Sequence, residues 1–314
     1  HRDLHSFPTR RSSIWSALME NLALARATDK PVVLHVRTQK GKGYRNAEQH
    51  PGLFHGIGPF HTETGMPLTH HTDPTFSEVF GQQLTRMAER DPRIVAISAA
   101  MMDGTGLAPF ARQFPERVFD VGIAEGHAVT FAGGLAAGGM RPFVCIYSSF
   151  LQRAFDQILI DVCLQRLPVV FAVDRAGVVG QDGETHHGIH DLSYLSEMPG
   201  LTILAPADTQ ELVQMMEAAM KINGPCAIRY PKGSDPEHAL PIAPSVMIPQ
   251  VLKEGSDVEI WAVGNMVTTA WETAAILRKE GIRAGVINVH CVRPLNREQL
   301  RADQIGRASC RERV

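Results

Sequence analysis

No run of eighteen apolar residues occurs in this 314-residue chain, so it carries no transmembrane helix. An excess of one charge is missing too. Lys and Arg total 31 against 33 for Asp and Glu, and a formal charge of −2 gives no electrostatic footing for nucleic acid. Cysteine is scarce at five residues, with no CxxC pair. Cys145, Cys163, Cys226 and Cys291 stand far apart in apolar contexts, which reads as reduced, buried thiols of a cytoplasmic protein. There is no GxGxxG and no Walker loop, so neither a dinucleotide nor a nucleoside-triphosphate site is evident. What is present is 44% hydrophobic and 20% charged residues, the balance of a soluble α/β globule.

The two ends match each other in an unusual way. A DNA that encodes His5 to Ser13 has a reverse complement that translates as Gly306 to Val314. Residues 1–13 and 304–314 therefore resemble translated sequencing adaptor. They are set aside from fold reasoning as an artefact, together with Cys310 and the terminal arginines. The natural protein is expected to be longer on both sides. About 290 residues remain, room for roughly two domains.

Residues 14–30 read as a helix, and Val32 to Val36 as a strand entering the Lys40-Gly41-Lys42-Gly43 turn. Residues 46–74 lack hydrophobic periodicity and read as a linker or a ligand-touching loop. A helix is expected from Thr75, and strand then alternates with helix. The strands fall at 93–99, 117–123, 142–148, 168–174, 201–206 and 226–231. Val- and Ile-rich strands of this kind, separated by helices, predict a parallel sheet covered on both faces. Residues 236–256 are rich in proline and read as a linker; 257–303 open another α/β domain.

Ligands of such sheets bind beyond the C-terminal strand ends. Glu125 follows one strand there, and Tyr147, Phe150 and Arg153 follow the next. Asp174 and Arg175 end a third and lead into a long loop, and Arg229 lies in the last. The plain reading of Glu125 is a carboxylate at a helix N-terminus, favoured by the dipole. Its surroundings point further. Ala128, Ala132, Gly133, Gly134, Ala136 and Ala137 let another surface come very close, and a carboxyl group buried there can share a proton with a ligand nitrogen. Phe150 alone reads as core and Arg153 as a solvated helix-face cation. His186, His187 and His190 invite a zinc reading. The loop lacks a nearby Cys or an HExxH context, and its glycines suit a mobile lid better.

The stretches "FDVGIAEGHAVTFAGGLAAGG", "YSSFLQRAFDQ" and "DRAGVVGQDGETHHG" closely resemble the 1-deoxy-D-xylulose-5-phosphate synthase family, thiamine-diphosphate enzymes of the transketolase superfamily. The likeness covers essentially all of residues 14–303. It implies a transketolase-like, parallel-sheet pyrimidine-binding domain at 75–235 with partial flanking α/β domains. These are the tail of a diphosphate-binding domain with its linker at 14–74, and the start of a C-terminal domain at 257–303. It also implies that Glu125 hydrogen-bonds N1′ of the cofactor's aminopyrimidine, favouring the imino tautomer whose 4′ nitrogen takes the thiazolium C2 proton. By the same likeness Phe150 stacks on that ring, and Tyr147 lines the cofactor and the substrate channel. Arg153 serves an anionic group, and Arg175 and Arg229 bind phosphate. Asp182 and His186 act in the loop, and His55 lies near the substrate. Mg²⁺ and the diphosphate would be held by a domain outside this chain. The implied reaction condenses pyruvate with D-glyceraldehyde 3-phosphate with loss of CO₂, a step toward isoprenoid precursors, thiamine and pyridoxal. The implied assembly is a cytoplasmic homodimer, and this chain alone is expected to be inactive.

One departure stands out: the family usually has Gln after the catalytic Glu, where this chain has Gly126. Two rival readings remain open. One is another thiamine-diphosphate enzyme, a transketolase or a 2-oxoacid dehydrogenase beta subunit. The other is a non-catalytic pyrimidine-domain scaffold, which Gly126 favours and which the retained Glu125, Arg153, Asp182 and His186 oppose.

Overall fold

The computed structural model describes residues 14–68, 73–235, 240–243, 246–296 and 298. Both adaptor-like ends lie outside them. The chain divides into two units, with the boundary after His70.

The first unit holds α1 (Ile14–Arg26), α2 (Arg45–Gln49) and a 3-10 turn at Leu53–His55. The strand expected at Val32–Val36 does not form. These residues make no ladder, and Val33 is 94% exposed. A strand exists only where a neighbour takes its N–H and C=O groups, and an apolar run cannot supply that neighbour by itself. The segment read as a linker is more ordered than its composition implies. Tyr44, Phe54 and Phe60 form an aromatic trio with centroids 5.2–5.9 Å apart. The Lys-Gly turn is held by a hydrogen bond from Gly43 N–H to Glu48.

The second unit opens with α3 (Phe76–Arg90). Thr75 accepts from the Glu78 N–H while the Glu78 side chain accepts from the Thr75 N–H, a reciprocal capping box that fixes the helix start. Then come β1 (Ile94–Ser98), α4 (Ala108–Gln113), β2 (Val118–Asp120), α5 (Glu125–Ala137) and β3 (Arg141–Tyr147). After β3, α6 (Ser148–Leu151) passes through a 3-10 turn into α7 (Phe155–Gln157) and a π-helical stretch, Ile158–Cys163. The domain continues with β4 (Val170–Asp174), α8 (Asp191–Ser196), β5 (Thr202–Leu204), α9 (Thr209–Ala219) and β6 (Cys226–Arg229).

These strands are parallel in the order β5-β6-β4-β3-β1-β2. Alternation along β3 and β4 builds a core on each face. Phe143, Cys145, Val170 and Ala172 join Phe80, Phe110 and Met215 of the helices on one side. Val144, Ile146, Phe171 and Val173 join Ala128, Ala132 and Ile158 on the other. The close approach on that second face has a physical cause: a Cβ on Gly133 would sit 3.0 Å from the Asp161 carbonyl oxygen.

The expected linker at 236–256 contains β7 (Gln250–Lys253). It pairs antiparallel with β9 (Ala284–Asn288), which runs parallel to β8 (Val258–Ala262), while α10 (Met266–Lys279) connects the last two. Pairing with β9 overrides the weak local signal of a proline-rich segment. A last strand, β10 (Cys291–Arg293), leaves this small sheet and adds antiparallel to β5. A buried cluster secures the crossing: Glu211 of α9 accepts from the Ala207 N–H and contacts His290 Nδ1.

Candidate active site

Six parallel strands end along the sheet's C-terminal edge, and most of the residues singled out from the sequence lie there. Glu125 is the first residue of α5 and only 4% exposed. Its Oε1 accepts from Arg153 Nη1 at 2.8 Å, while Oε2 has no hydrogen-bond partner among the described residues. Arg153 sits on the turn after α6 with its side chain 56% exposed, and its guanidinium lies 5.2 Å from the Phe150 ring. The Phe150 ring meets Tyr147 at 5.8 Å and the edge of His186 at 5.2 Å. A carboxylate, an aromatic face and an imidazole are thus gathered by α5, α6 and the long loop.

A second cluster lies around Tyr147. The Arg175 guanidinium stacks 3.9 Å over the Tyr147 ring and reaches Asp182 at 3.5 Å. Arg175 takes left-handed backbone angles, φ 58°, a conformation that is costly without glycine and common where a fold aims a side chain. Burial opposes the charge on Asp182, but Lys232 and Arg175 outweigh it and hold the carboxyl below its usual range. Burial pushes the Tyr147 phenol up to about 12, with Arg175 pulling the other way. Tyr147 therefore stays a neutral donor at any ordinary pH.

Behind them Asp174 is fully buried. Its Oδ2 accepts from the Ser77 hydroxyl at 2.7 Å, and its Oδ1 has no hydrogen-bond partner among the described residues. Burial pushes its carboxyl up to about 7, against the Ser77 hydrogen bond and the Arg175 charge. Sequence reasoning placed Asp174 at its strand end but gave it no role, and it missed Lys232. Asp174 could have been found as a carboxylate closing an otherwise apolar strand. Lys232, fifty residues from its partner, left no local signal.

Arg229 is placed differently. Nε and Nη2 both bond Asp191, at 2.8 and 3.3 Å, and the side chains are 12% and 1% exposed. Part of its donor fork is thus already committed within the protein. His55 ends the 3-10 turn of the first unit. His187 is tied to the loop, its Nδ1 accepting from the Val179 N–H at 3.1 Å. Among the described residues no group of three His, Cys, Asp or Glu side chains is arranged for a metal ion.

Fold and site define a parallel α/β domain with a buried carboxylate and three arginines near its strand ends, each paired with an acidic side chain. More narrowly, the chain belongs to the transketolase family. Residues 72–236, over half of it, match the transketolase pyrimidine-binding domain, and residues 249–312 match the transketolase C-terminal domain. The chain is 52% identical over 283 residues to 1-deoxy-D-xylulose-5-phosphate synthase of Desulforudis audaxviator, covering 89% of this chain and 44% of that protein. It is 53% identical over 293 residues to 1-deoxy-D-xylulose-5-phosphate synthase 1 of Geobacter sulfurreducens, covering 90% and 45%. The chain thus spans about half the length of the curated relatives it matches. Among solved structures it is similar to a split-gene transketolase described as an inactive β4 tetramer, at 32% identity and TM-score 0.66, covering 74% of this chain and 77% of that one. The fold also matches transketolase of Campylobacter jejuni, at 21% identity and TM-score 0.65, over 75% and 38%.

The family implies thiamine diphosphate, and the residues fit its aminopyrimidine half. The unpartnered Oε2 of buried Glu125 can take one ring N–H, and the half-buried Phe150 offers an aromatic face close by.

Proposed function

We propose that this chain is the pyrimidine-binding domain, with parts of both neighbouring domains, of a 1-deoxy-D-xylulose-5-phosphate synthase. The observation that carries the reading is Glu125, a buried carboxylate at the strand ends with one oxygen held by Arg153 and the other unclaimed. About half identity to curated synthases across nine-tenths of the chain supports it. The three-domain division at 14–74, 75–235 and 257–303 belongs to the same reading.

Bound thiamine diphosphate supplies an electron sink for the decarboxylation of pyruvate. The chain's own residues position and protonate. Glu125 Oε2 would hydrogen-bond N1′ of the pyrimidine, and Phe150 would stack against the ring. Arg153, half exposed, is free to turn from Glu125 toward an anionic group. Arg175 and the uncommitted donors of Arg229 hold the phosphate of D-glyceraldehyde 3-phosphate, so binding far from the reacting carbon orients it. Tyr147, Asp182 and His186 line the substrate's path. Mg²⁺ and the diphosphate belong to the preceding domain. The exposed Ile123, Ile160 and Leu164, next to the small-residue helix α5, support a homodimer. Four buried free thiols suit the cytoplasm.

The test restores the missing segments from a close relative and follows CO₂ release from pyruvate with thiamine diphosphate and Mg²⁺. Release should rise sharply on adding D-glyceraldehyde 3-phosphate. In Glu125→Gln it should fall by about 10²–10⁴-fold, with the unfolding midpoint preserved. Release indifferent to the aldehyde would instead mark another decarboxylating member of the superfamily.

A further inference from the structure

Lys232 is the one cation of the Tyr147 cluster to which the chemistry above gives no role. It lies just past β6, and the backbone on either side of it is pinned. The Tyr230 carbonyl accepts from the Ala176 N–H at 2.9 Å, and the Gly233 carbonyl accepts from the Phe76 N–H at 2.8 Å. From this fixed base the ammonium reaches the long loop after β4 and donates to Asp182 Oδ1 at 2.5 Å. Arg175 faces the other oxygen. Its Nη1 lies 3.5 Å from Asp182 Oδ2 and makes no hydrogen bond to it. One carboxylate therefore stands between two cations and is bonded by only one of them.

The consequence falls on Arg175. Its guanidinium stacks 3.9 Å over the Tyr147 ring, and its side chain is 20% exposed. None of the guanidinium donors meets an acceptor among the described residues. A planar fork with its donors unspent matches the oxygens of a phosphate in pairs. Arg229 shows the closed alternative: its Nε and Nη2 are both taken by Asp191, at 2.8 and 3.3 Å. Arg175 and Asp182 stand close enough to close in the same way, and Lys232 holds the carboxylate on its other side.

We propose that Lys232 is a positioning residue: by bonding Asp182 it keeps that carboxylate from capturing Arg175, and so leaves the Arg175 fork open for the phosphate of the substrate. The role rests on Arg175 as a phosphate ligand and names the residue on which its availability depends. Lys232 acts through Asp182 and has no need to touch the phosphate itself.

The test titrates this chain with glycerol 3-phosphate at pH 8, followed by calorimetry, with glycerol as the uncharged control. It needs neither cofactor nor turnover. The phosphate ester should bind saturably in the millimolar range and glycerol should not. Lys232→Met should weaken binding about tenfold. Lys232→Arg keeps a cation for Asp182 and should stay within about twofold of the parent. In an Asp182→Asn background, Lys232→Met should cost no more than about twofold, because no carboxylate remains to capture Arg175. A parent that does not bind, or an Arg175→Met variant that binds as the parent does, would remove the phosphate reading of Arg175 and the inference with it. Loss of binding in Arg175→Met with undiminished binding in Lys232→Met would overturn the inference alone. An equal tenfold loss in both backgrounds would also overturn it, since Lys232 would then act by its own charge or contact.

Discussion

Glu125 and Asp191 invite comparison because they are built alike. Each is the first residue of a helix, each is almost fully buried, and each is paired with an arginine. Asp191 is saturated: Arg229 grips both oxygens, and the Leu192 N–H adds a third bond at 2.8 Å. Glu125 is half satisfied: Arg153 reaches one oxygen, from a side chain that is mostly in water. Asp191 is held on both oxygens and serves the fold, leaving only the remaining donors of Arg229 for a ligand, whereas Glu125 keeps an oxygen of its own to spare. The location of the arginine makes the difference, at a strand end for Arg229 and on a turn for Arg153.

The sharpest way to break this contrast is to remove the two arginines in parallel. Arg229→Met strands the Asp191 carboxylate inside the protein and should cost about 3–5 kcal/mol of stability. Arg153→Met removes a half-solvated partner but leaves Glu125 without its bond, and should cost less, about 1–3 kcal/mol. Urea unfolding of both variants measures the gap. Equal losses would mean that both pairs are structural.

Asp174 extends the comparison to a third carboxylate with one oxygen unclaimed. Its folded pKa of about 7 lies above the ordinary value of 3.8, so folding takes up a proton. Between those values the folded protein holds that proton and the unfolded chain does not. Stability therefore falls as pH rises through the window, and the loss persists above pH 7. Asp174→Asn keeps an acceptor for the Ser77 hydroxyl and abolishes the titration. It should flatten the stability profile between about pH 4 and 7. At pH 8 it should gain on the order of 2 kcal/mol, the relief of the buried charge less the cost of a buried amide N–H. Unfolding at pH 5 and pH 8 checks this, and a variant that follows the parent at both would refute it.

The saturated and unsaturated pairs were not equally legible. Local patterns exposed the alternation of strand and helix from β1 to β6, because strands covered on both faces must be apolar throughout. They also exposed the start of α3, because Thr75 and Glu78 cap each other across three residues. The candidate site residues Glu125, Tyr147, Phe150 and Arg175 stood out because each lies at or just past a strand end. The bond between Arg229 and Asp191 spans 38 residues and exists only once β6 and α8 are assembled. Similarly, β7 and β10 are made by their partners β9 and β5, and Val32–Val36 lacks such a partner. What the sequence hid was pairing at a distance, whether between strands or between charges.

The smallest expected effect lies beside Glu125 itself. Gly126 is the second residue of α5 and has an ordinary helical backbone. A Cβ there would meet only the end of the Gln157 side chain, 3.1 Å from Oε1. That amide can rotate away, so the added side chain meets no rigid backbone. Replacing a helical glycine also removes a backbone-entropy penalty of up to about 1 kcal/mol. Gly126→Gln should therefore raise the unfolding free energy by several tenths of a kcal/mol and no more than about 1 kcal/mol. In the restored protein it should leave the Glu125-dependent release of CO₂ intact or increased. A lower stability would mean that Gln157 is fixed in place and that the flat wall beside Glu125 is required. In that case the half-satisfied carboxylate would owe its open side to Gly126.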